Sequence, residues 1–430
     1  MKYPAIEELY RLYLTHSVVC TDTRTVEKNS IFFALKGASF NANLFARDAL
    51  AKGAALAVID EEACYTEGCV LVRDVLNTLQ QLANYHRRKI NIPVIAITGS
   101  NGKTTTKELT AAVLEKKYKT LYTKGNLNNH IGVPLTLLKL TPQHQIAVIE
   151  MGANHQGEIA ALCKIAEPGY GIITNIGKAH LEGFGGPEGV IKAKNELYQY
   201  ICSAGGTLFV NADDDLLMRL SENTKRITYG AKAGADCAGL PDEEGIFAKG
   251  RISGDGIEVQ IESKLAGRYN FSNILAAACI GLHFGLTPFQ IKEALEAYSP
   301  SNNRSQFISR GSNKIWVDTY NANPSSMKLA ITNFAGMKAT GKVLILGDMF
   351  ELGADSAAEH QALVTLIEST NAWDVVLLSG QYFAKVSTRY QKFESLKELL
   401  KWLAANPVTG KTILLKGSRG MQMEQILEYL

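Results

Sequence analysis

The chain has 430 residues, 46% of them apolar, a length typical of two to four globular domains. Its 45 basic and 42 acidic residues give a net charge of only +3, which offers no electrostatic basis for nucleic acid or a membrane as main partner. Seven scattered cysteines without a C-x-x-C pair argue against a disulfide framework or zinc site and favour a cytoplasmic protein. We expect neither a signal peptide nor a transmembrane helix, because no apolar run approaches about 18 residues.

The first predicted domain, residues 1–90, mixes short apolar runs with amphipathic stretches. Apolar runs bounded by turn residues indicate strands, and apolar residues repeating every three or four positions indicate helices. The basic letters HRRK at 86–89 are expected to lie on the solvated surface. The predicted strands are SIFFAL (30–35) and ALAVID (55–60), and the predicted helices are ANLFARDALAKGA (42–54) and LNTLQQLANYHRRK (76–89).

The second predicted domain, residues 91–305, contains apolar runs that alternate with helices. This alternation is typical of a mostly parallel sheet covered on both faces. Its glycine-rich part at 230–266 is expected to form antiparallel hairpins. The predicted strands are PVIAIT (93–98), QIAVIE (145–150), YGIITN (170–175) and GTLFVN (206–211).

The third predicted domain, residues 306–430, has three similar apolar runs that end in Gly or Ser: KVLILGD (342–348), DVVLLSG (374–380) and KTILLKGS (411–418). Amphipathic helices between them indicate a Rossmann-like, doubly wound sheet. Such sheets bind ligands at the carboxyl ends of their strands. The sequence therefore predicts an α/β fold of three domains.

The stretch ITGSNGKTTTKE (97–108) resembles a phosphate-binding loop, G-x-x-x-x-G-K-[ST], except that Ile97 stands where the first glycine is expected and Gly99 follows. Loop N–H groups and the next helix N-terminus can hold phosphates, Lys103 can reach the β- and γ-phosphates, and Thr104 or Thr105 can bind Mg²⁺. The alternative is a glycine-rich turn that only begins a helix. The predicted triphosphate-binding residues here are Gly99, Ser100, Asn101, Gly102, Lys103, Thr104 and Thr105.

Three polar residues downstream are candidates for the same site. Glu150 ends a predicted strand and could anchor a metal. His180 follows another strand before a glycine-rich turn, and Lys194 lies at the edge of the apolar face of a helix that begins near Glu188. Taken singly, each is more ordinarily a surface or structural residue, and only their combination with the loop favours a site.

These motifs together resemble the Mur ligase family, whose members form amide bonds with ATP. The family's loop reads T-G-[ST]-N-G-K-T-[ST], which matches Thr98 to Thr105, so the absent first glycine is usual there. The resemblance covers essentially the whole chain and is strongest to members that add D-alanyl-D-alanine to UDP-N-acetylmuramoyl-tripeptide. The long segments that carry it are GNLNNHIGVPLTLL (125–138), EMGANHQGEI (150–159), AHLEGFGG (179–186), DTYNANPSSM (318–327) and LGDMFELG (346–353).

The resemblance implies ATP and Mg²⁺ as cofactors. It implies that Thr104, Glu150, His180 and a carbamylated Lys194 surround Mg²⁺, and that Arg304 faces the ATP phosphates. The catalytic residues it implies are Lys103, Glu150, His180, Lys194 and Arg304. Those it places near adenine, ribose and phosphates are Asn270, Asn273, Arg304, Asp318, Tyr320 and Asn321.

The resemblance also makes residues 1–90 a UDP-sugar domain, 91–305 the ATP domain, and 306–430 a domain that binds the D-alanyl-D-alanine side and closes on ATP. TDTRTVEKNSIFFALKG (21–37) carries the first of these matches. Asn41, Ala42 and Asn43 replace the Asp-Gly-His usual there. The substrate-binding residues implied are Thr23, Arg24, Asn126, Asn128, Asn129 and Asn323.

The expected activity is ATP-dependent ligation through an acyl-phosphate, which makes the pentapeptide precursor of peptidoglycan and releases ADP and phosphate. A family member that adds a single amino acid and a non-catalytic nucleotide-binding partner of cell-wall synthesis remain alternatives. A GTPase is disfavoured, since the only N-K pair, Asn313-Lys314, lacks the following guanine-reading Asp. We expect a cytoplasmic monomer that neither binds nucleic acid nor enters a membrane.

Overall fold

The computed structural model of the chain describes residues 3–254, 256–370 and 372–430. Helices and strands alternate along most of this length. The helices are α1 (Ile6–Thr15), α2 (Ala46–Ala51), α3 (Val75–Ile90), α4 (Lys103–Leu114), α5 (Gly132–Leu137), α6 (Glu158–Ala166), α7 (Leu181–Phe184), α8 (Pro187–Ser203), α9 (Asp215–Leu220), α10 (Phe271–His283), α11 (Pro288–Ala297), α12 (Pro324–Gly336), α13 (Ser356–Thr370) and α14 (Leu396–Ala405).

The strands fall into four sheets. They are β1 (Val19–Cys20), β2 (Ile31–Phe33), β3 (Lys36–Gly37), β4 (Phe40–Asn41), β5 (Leu56–Ile59), β6 (Cys69–Leu71), β7 (Val94–Thr98), β8 (Thr120–Tyr122), β9 (Ile146–Glu150), β10 (Tyr170–Ile173), β11 (Thr207–Asn211), β12 (Lys225–Gly230), β13 (Cys237–Pro241), β14 (Phe247–Gly254), β15 (Ile257–Ala266), β16 (Gln306–Arg310), β17 (Asn313–Asp318), β18 (Lys342–Gly347), β19 (Val375–Ser379), β20 (Gln391–Phe393) and β21 (Thr412–Lys416).

These elements form two compact units. The first contains the chain up to Ala96 together with Tyr118–Ala153 and Gly157–Tyr170. The second contains Ile97–Lys117, Asn154–Gln156 and Gly171–Leu430. The α/β fold class expected from the alternating pattern is confirmed, whereas the three-domain boundaries near residues 90 and 305 stay predictions.

The amino-terminal sheet has the order β1-β2-β5-β6 with parallel pairing throughout. The helix predicted at 76–89 is α3; the Asp74 carboxylate accepts a hydrogen bond from the Asn77 N–H at its start, and Asn91 in left-handed conformation ends it. The predicted solvated cluster at 86–89 is wrong for His86. Its side chain is buried, with Nε2 2.9 Å from the Leu140 carbonyl oxygen.

The largest sheet has nine strands in the order β15-β14-β13-β12-β11-β10-β7-β9-β8. The four predicted strands at 93–98, 145–150, 170–175 and 206–211 appear as β7, β9, β10 and β11. The hairpins predicted at 230–266 are β13, β14 and β15, which pair antiparallel. β7 and β9 are fully buried along their length, which explains their unbroken apolar sequences.

The carboxyl-terminal sheet has the order β16-β17-β21-β18-β19-β20. Its pairs are parallel except for β16 with β17, an antiparallel hairpin that the sequence reading did not predict. Parallel strands joined by helices bring Asp318, Asp348, Gly380 and Gly417 to one edge, where β17, β18, β19 and β21 end. This edge is where the sequence pattern placed a ligand site.

Within the described part of the chain, no helix combines the length and apolarity needed to cross a bilayer. The seven cysteines are all free thiols, and Cys202 at the end of α8 is the exposed one among them.

Candidate active site

The loop between β7 and α4 depends on two glycines. Gly99 has a φ of +143°, and a Cβ there would lie 2.0 Å from the Thr174 hydroxyl oxygen. Gly102 has a φ of +79°, and its Cβ would lie 2.7 Å from the Asn273 side-chain oxygen. Glycine is therefore required at 99 and 102 by backbone conformation and by close packing, while Ile97 is a buried strand residue.

The loop is held by the segment that follows β10. The Thr174 hydroxyl donates to the Asn101 carbonyl at 2.6 Å, and the Asn175 side chain both donates to that carbonyl and accepts from the Asn101 N–H. The Ser100 hydroxyl donates to the Gly177 carbonyl and accepts from the Gly177 N–H. Since its carbonyls are anchored on one side, the loop conformation is fixed before any ligand binds.

Lys103 is the first residue of α4, and its ammonium folds over the loop. Nζ lies 2.6 Å from the Gly99 carbonyl oxygen and 3.3 Å from that of Ser100. The next two residues, Thr104 and Thr105, are buried. This arrangement combines a lysine, hydroxyls and a helix N-terminus, the features that bind phosphates in such loops.

A chain of side-chain amides links this loop to Ser305, at the end of the second predicted domain. The Asn273 side-chain oxygen accepts from the Thr106 hydroxyl, and its amide donates to Asn270. The Asn270 amide donates in turn to the Ala266 carbonyl and to the Ser305 hydroxyl. Asn270 occupies the N-cap position of α10, but its side chain makes no capping hydrogen bond there. Contacts of Asn270 and Asn273 with adenine stay predictions.

Glu150 lies in the first unit, at the end of β9, and is almost completely buried. Its N–H donates to the Thr123 hydroxyl at 3.0 Å, and its Oε1 accepts from the Asn128 amide at 2.8 Å. Asn128 thus orients the carboxylate, a positioning role that the sequence reading did not assign. A buried, oriented carboxylate at a strand end is suited to hold a hard cation.

His180 and Lys194 come together around one aromatic ring. The Phe184 ring centroid lies 6.3 Å from that of His180, and the Lys194 Nζ lies 5.0 Å from the Phe184 centroid. Lys194 is 2% exposed in the middle of α8, so it is not the solvated surface lysine that its sequence pattern suggested in isolation. His180 has a left-handed backbone, φ +51°, at the start of α7.

Glu351, from the loop after β18, contacts the His180 side chain through Nδ1. The hydrogen bond from His180 lowers the pKa of the Glu351 carboxyl below its ordinary value, while burial acts against that shift. Glu351 is itself left-handed, with a φ of +63°. Non-glycine residues in this conformation concentrate at functional sites, so both partners of the contact carry local backbone strain.

A buried ion pair stands at the ends of β17 and β21. The Lys416 ammonium contacts the Asp318 carboxylate and donates to the Asn321 carbonyl at 3.1 Å. The Ser305 N–H also faces Asp318, at 3.4 Å. Beside this pair the Arg304 guanidinium carbon lies 3.4 Å from the centroid of the Tyr320 ring. Four predicted residues, Arg304, Asp318, Tyr320 and Asn321, are therefore neighbours.

Asn323 joins this group to the phosphate loop. Its side-chain oxygen caps α12 by accepting from the Ser326 N–H at 2.9 Å, and its amide donates to the Asn101 side-chain oxygen at 2.8 Å. Ser325 reaches the same region, since its hydroxyl accepts from the Lys178 N–H. These contacts stay within the second unit.

The predicted UDP-sugar residues lie in the first unit. The Arg24 guanidinium is exposed and forms hydrogen bonds with the Asp22 carboxylate, whose pKa is lowered to about 2 by the donors of Arg24. The Asn129 side chain accepts from two backbone N–H groups at the start of α5, which is a structural role. Substrate contacts for Thr23, Arg24, Asn126, Asn128 and Asn129 stay predictions.

A cavity of about 900 Å³ opens at the carboxyl edge of the last sheet. It is lined by polar, basic and apolar side chains from the ends of β18, β19 and β21 and from α14, among them Tyr382, Lys397, Leu400 and Gln422. Asp348 lies at its base, where its carboxylate accepts from the N–H groups of Tyr382 and Phe383, each at 2.9 Å. Burial raises the pKa of Asp348, and those amide donors oppose the shift.

Among residues 3–254, 256–370 and 372–430, no group of three or more His, Cys, Asp or Glu side chains is placed to hold a metal. The predicted magnesium ligands contain only two such residues, Glu150 and His180, with a hydroxyl and a modified lysine. The Mg²⁺ assignment therefore stays a prediction.

The sequence reading missed two charged residues of the site. Glu351 lies inside the segment LGDMFELG, which carries the family resemblance without identifying Glu351 as a site residue. Lys416 is the last of the five buried positions of β21, where a lysine is unexpected after four apolar or small residues. A charged residue at the end of an apolar strand was the sequence signal that could have identified Lys416 as a site residue.

Family models match two stretches of the chain. The Mur ligase middle domain matches residues 97–281, and the Mur ligase glutamate ligase domain matches residues 303–419. The chain belongs to the Mur ligase family. The first stretch contains the phosphate loop, His180 and Lys194; the second contains Arg304, Asp318 and Lys416.

Individual members of the Mur ligase family resemble the chain over nearly its full length. A Bacillus subtilis relative named UDP-N-acetylmuramoyl-tripeptide--D-alanyl-D-alanine ligase is 34% identical over 426 residues, covering 96% of this chain and 92% of the relative. A crystal structure of MurF from Acinetobacter baumannii superposes with a TM-score of 0.88 at 31% identity, covering 100% of this chain and 98% of that chain. MurF ligase from Thermotoga maritima, solved in complex with ADP, gives a TM-score of 0.86 at 26% identity, covering 97% of each chain.

Proposed function

We propose that the protein is an ATP-dependent ligase that joins D-alanyl-D-alanine to UDP-N-acetylmuramoyl-tripeptide and so makes the pentapeptide precursor of peptidoglycan. The observation that carries this proposal is the likeness, over 96% of the chain, to a relative that bears that name. The geometry of the loop at 97–105 supports it, because the reaction needs a held triphosphate.

ATP binds with its phosphates on the loop. The N–H groups between Gly99 and Thr105 and the start of α4 surround the phosphates, and Lys103 moves from the loop carbonyls onto the β- and γ-phosphates. Asn270 and Asn273 lie toward adenine, and Asp318, Tyr320 and Asn321 toward ribose. The relative solved with ADP supports nucleotide use by this fold.

The reaction has two steps. In the first, a carboxylate oxygen at the end of the tripeptide attacks the γ-phosphorus, and ADP leaves with the electron pair of the broken P–O bond. In the second, the amine nitrogen of D-alanyl-D-alanine attacks the acyl carbon of the resulting acyl-phosphate. The tetrahedral intermediate then releases phosphate with the electrons of the C–O bond, the nitrogen loses a proton, and an amide remains.

The first step brings two anions together, and the second develops negative charge on the departing phosphate, so positive charge is the main requirement. Lys103 and Arg304 stabilise the charge that spreads over the transferred phosphoryl group. An acyl-phosphate hydrolyses readily, so the site must also exclude water while the amine attacks.

Thr104, His180 and Lys194, which all belong to the second unit, would hold Mg²⁺, and Glu150 of the first unit stays a predicted ligand. Lys194 fits this role only as a carbamate, because an ammonium repels the ion whereas a carbamate supplies anionic oxygens. The buried position of Lys194 and its approach with His180 to the Phe184 ring support the assignment. Bound Mg²⁺ neutralises phosphate charge.

The two other substrates take separate sites. Residues 1–90 hold the UDP-sugar, with Thr23 and Arg24 as UDP contacts. The other proposed substrate-binding residues are Asn126, Asn128, Asn129 and Asn323. D-alanyl-D-alanine enters the cavity of about 900 Å³ at the carboxyl edge of the last sheet. We propose a monomer that works in the cytoplasm, where ATP is supplied.

The test is an assay with purified protein, ATP, Mg²⁺ and UDP-N-acetylmuramoyl-tripeptide, with and without D-alanyl-D-alanine, using tripeptides that end in meso-diaminopimelate or lysine. Phosphate release should require D-alanyl-D-alanine, and mass spectrometry should find the pentapeptide. Ligation of a free amino acid instead would favour a single-residue ligase. Absence of turnover with both tripeptides would favour a non-catalytic partner.

A further inference from the structure

Two arginines share one tyrosine ring at the edge of the last sheet. The guanidinium carbon of Arg304 lies 3.4 Å from the Tyr320 centroid, and that of Arg419 lies 4.8 Å from the same centroid. Arg419 comes from the loop after β21. No sequence motif assigned a role to Arg419.

The Arg304 side is held in place by unusual backbone. Asn303 and Ser305, on either side of Arg304, have φ values of +52° and +48°. The Thr319 N–H donates to the Asn303 carbonyl at 2.9 Å, which ties this segment to the residues after β17. Two non-glycine residues in the left-handed region each cost about 1 kcal/mol or more, so the surrounding contacts hold Arg304 against that strain.

The Arg419 side is equally well anchored. The Ser418 N–H donates to the Asp348 carbonyl at 3.2 Å, and the Ser418 hydroxyl accepts from the Phe350 N–H at 3.0 Å. Gly420, the residue after Arg419, lines the cavity of about 900 Å³. Arg419 therefore contacts the Tyr320 ring and directly precedes a residue that lines the cavity proposed for the amine substrate.

The positive charge here is not neutralised by the protein. Within the ranges that the structure describes, neither guanidinium forms an ion pair or hydrogen bond, and the Arg304 Nε is buried without a partner. The neighbouring carboxylate, Asp318, is already paired with Lys416. Two arginines and no free carboxylate form a site for a doubly charged anion.

The stacking geometry favours the same conclusion. A guanidinium that stacks on an aromatic ring uses its face, so its N–H donors stay available in the plane. The ring also limits the rotamers of both side chains, which lowers the entropy lost when they grip a ligand. The two parallel N–H donors of a planar guanidinium match the spacing of two phosphate oxygens.

We propose that Arg419 is a further catalytic residue, which acts with Arg304 to bind the phosphoryl group as it passes from ATP to the tripeptide carboxylate. This inference rests on the proposed function. Arg419 donates to the phosphoryl oxygens in the first step, and it stabilises the departing phosphate when the C–O bond breaks in the second. The following residue, Gly420, lines the cavity proposed for the attacking amine.

Nucleotide binding tests the contact without turnover. We compare dissociation constants of ADP and of AMPPNP, which retains a γ-phosphoryl group, by calorimetry for the unchanged protein, Arg419→Ala and Arg419→Lys. The expected result is a loss of AMPPNP affinity of about tenfold or more in Arg419→Ala with ADP affinity unchanged, because charge-assisted hydrogen bonds to phosphate are lost. The AMPPNP affinity of Arg419→Lys should lie between those of Arg419→Ala and the unchanged protein, since lysine keeps the charge and loses the two parallel N–H donors. Equal losses for both nucleotides, or none, would overturn the proposal.

Kinetics separate this role from binding of the dipeptide carboxylate. In Arg419→Ala, kcat should fall by about 100-fold or more with the KM for D-alanyl-D-alanine little changed. A raised KM for D-alanyl-D-alanine with kcat preserved would overturn the assignment and place Arg419 on the dipeptide instead. Arg389→Ala is the matched control, because Arg389 also stacks on a tyrosine of this domain, at 5.5 Å from the Tyr390 centroid, and should leave both constants unchanged.

Failure of the proposed function is distinguishable from failure of this inference. An unchanged protein that forms no amide from any substrate pair would refute the function, while the AMPPNP comparison would still report on Arg419. Circular dichroism and melting temperatures of all variants establish that each is folded.

Discussion

The side chain of Asn323 donates a hydrogen bond of 2.8 Å to the side chain of Asn101, although 222 residues separate them. Asn101 belongs to the phosphate loop, and Asn323 begins α12. One asparagine thus caps a helix through its oxygen and restrains the loop through its amide.

Two substitutions separate these functions of Asn323. Serine is a good helix cap but cannot reach Asn101, whereas alanine does neither. We expect both Asn323→Ser and Asn323→Ala to raise the KM for ATP about fivefold to tenfold, the worth of about one hydrogen bond. Only Asn323→Ala should also lose about 1 kcal/mol of unfolding free energy. Steady-state kinetics and urea unfolding measure the two effects; an unchanged KM in both variants would show that the contact does not act on the nucleotide.

Lys103→Ala should abolish ligation and leave the fold intact. Alanine removes the ammonium that stabilises negative charge on the γ-phosphoryl group during transfer. We therefore expect kcat to fall by about 1000-fold or more. Lys103→Arg serves as the control for charge alone. Turnover near that of the unchanged protein in Lys103→Ala would refute the phosphate-loop assignment.

Lys194 should carry a carbamate. Intact-mass measurement under bicarbonate should find an added CO₂, and Lys194→Ala should lose activity that short carboxylic acids partly restore. Lys192, on the same helix and two residues earlier, gives a matched Lys192→Ala control that should keep its activity. If neither the added mass nor the rescue is observed, Lys194 has a structural role beside Phe184.

The pair Asp318–Lys416 should show strong coupling in a double-mutant cycle. Lys416 is 2% exposed and Asp318 14%, so removing one partner leaves a poorly solvated charge. We expect Lys416→Met to cost about 3 kcal/mol of unfolding free energy, and the double variant Asp318→Asn with Lys416→Met to recover part of it. Additive losses in chemical denaturation would mean that the two side chains do not stabilise each other.

Stability should fall as the solution becomes mildly acidic, in part through His86. Burial lowers the pKa of His86 from its ordinary 6.5, and the Leu140 carbonyl only partly opposes this. Below pH about 6.5 the unfolded chain therefore binds a proton that the folded chain resists, so unfolding free energy decreases as pH falls from 7 to 5.

A comparison of two variants isolates this effect. His86→Gln should flatten the pH dependence between pH 7 and 5, while His130→Gln, at an exposed position, should not. Part of the slope should persist, because the pKa values of His144, His283 and His360 are lowered as well. An identical slope in His86→Gln and the unchanged protein would contradict the assignment.

Sequence periodicity was sufficient to predict most of the regular elements. β7, β9 and β18 are unbroken apolar runs because they are buried on both faces, and α3 repeats at helical spacing because one face packs inward. β16 escaped prediction since QFISR is half exposed and has no such run. Its strand character comes from pairing with β17, which a local pattern does not contain.

Site residues divide in a similar way. Gly99, Gly102 and Lys103 could be predicted because they lie in one short loop motif, in which the backbone geometry requires the two glycines. The contact of His180 with Glu351 and that of Arg304 with Arg419 through Tyr320 arise only when distant loops meet at strand ends. His180, Arg304 and Tyr320 could be predicted only through the family resemblance, while Glu351 and Arg419 look like ordinary surface residues in their own segments.

The exposed thiol of Cys202 makes the native protein suitable for labelling at one position. Cys202 is exposed at the end of α8, the helix that carries Lys194, while the described environment leaves Cys64 partly covered and the other cysteines buried. A maleimide dye should therefore attach at one chosen place in the native sequence. Fluorescence from that dye can report substrate-dependent rearrangement of α8 in real time, with no cysteine added or removed.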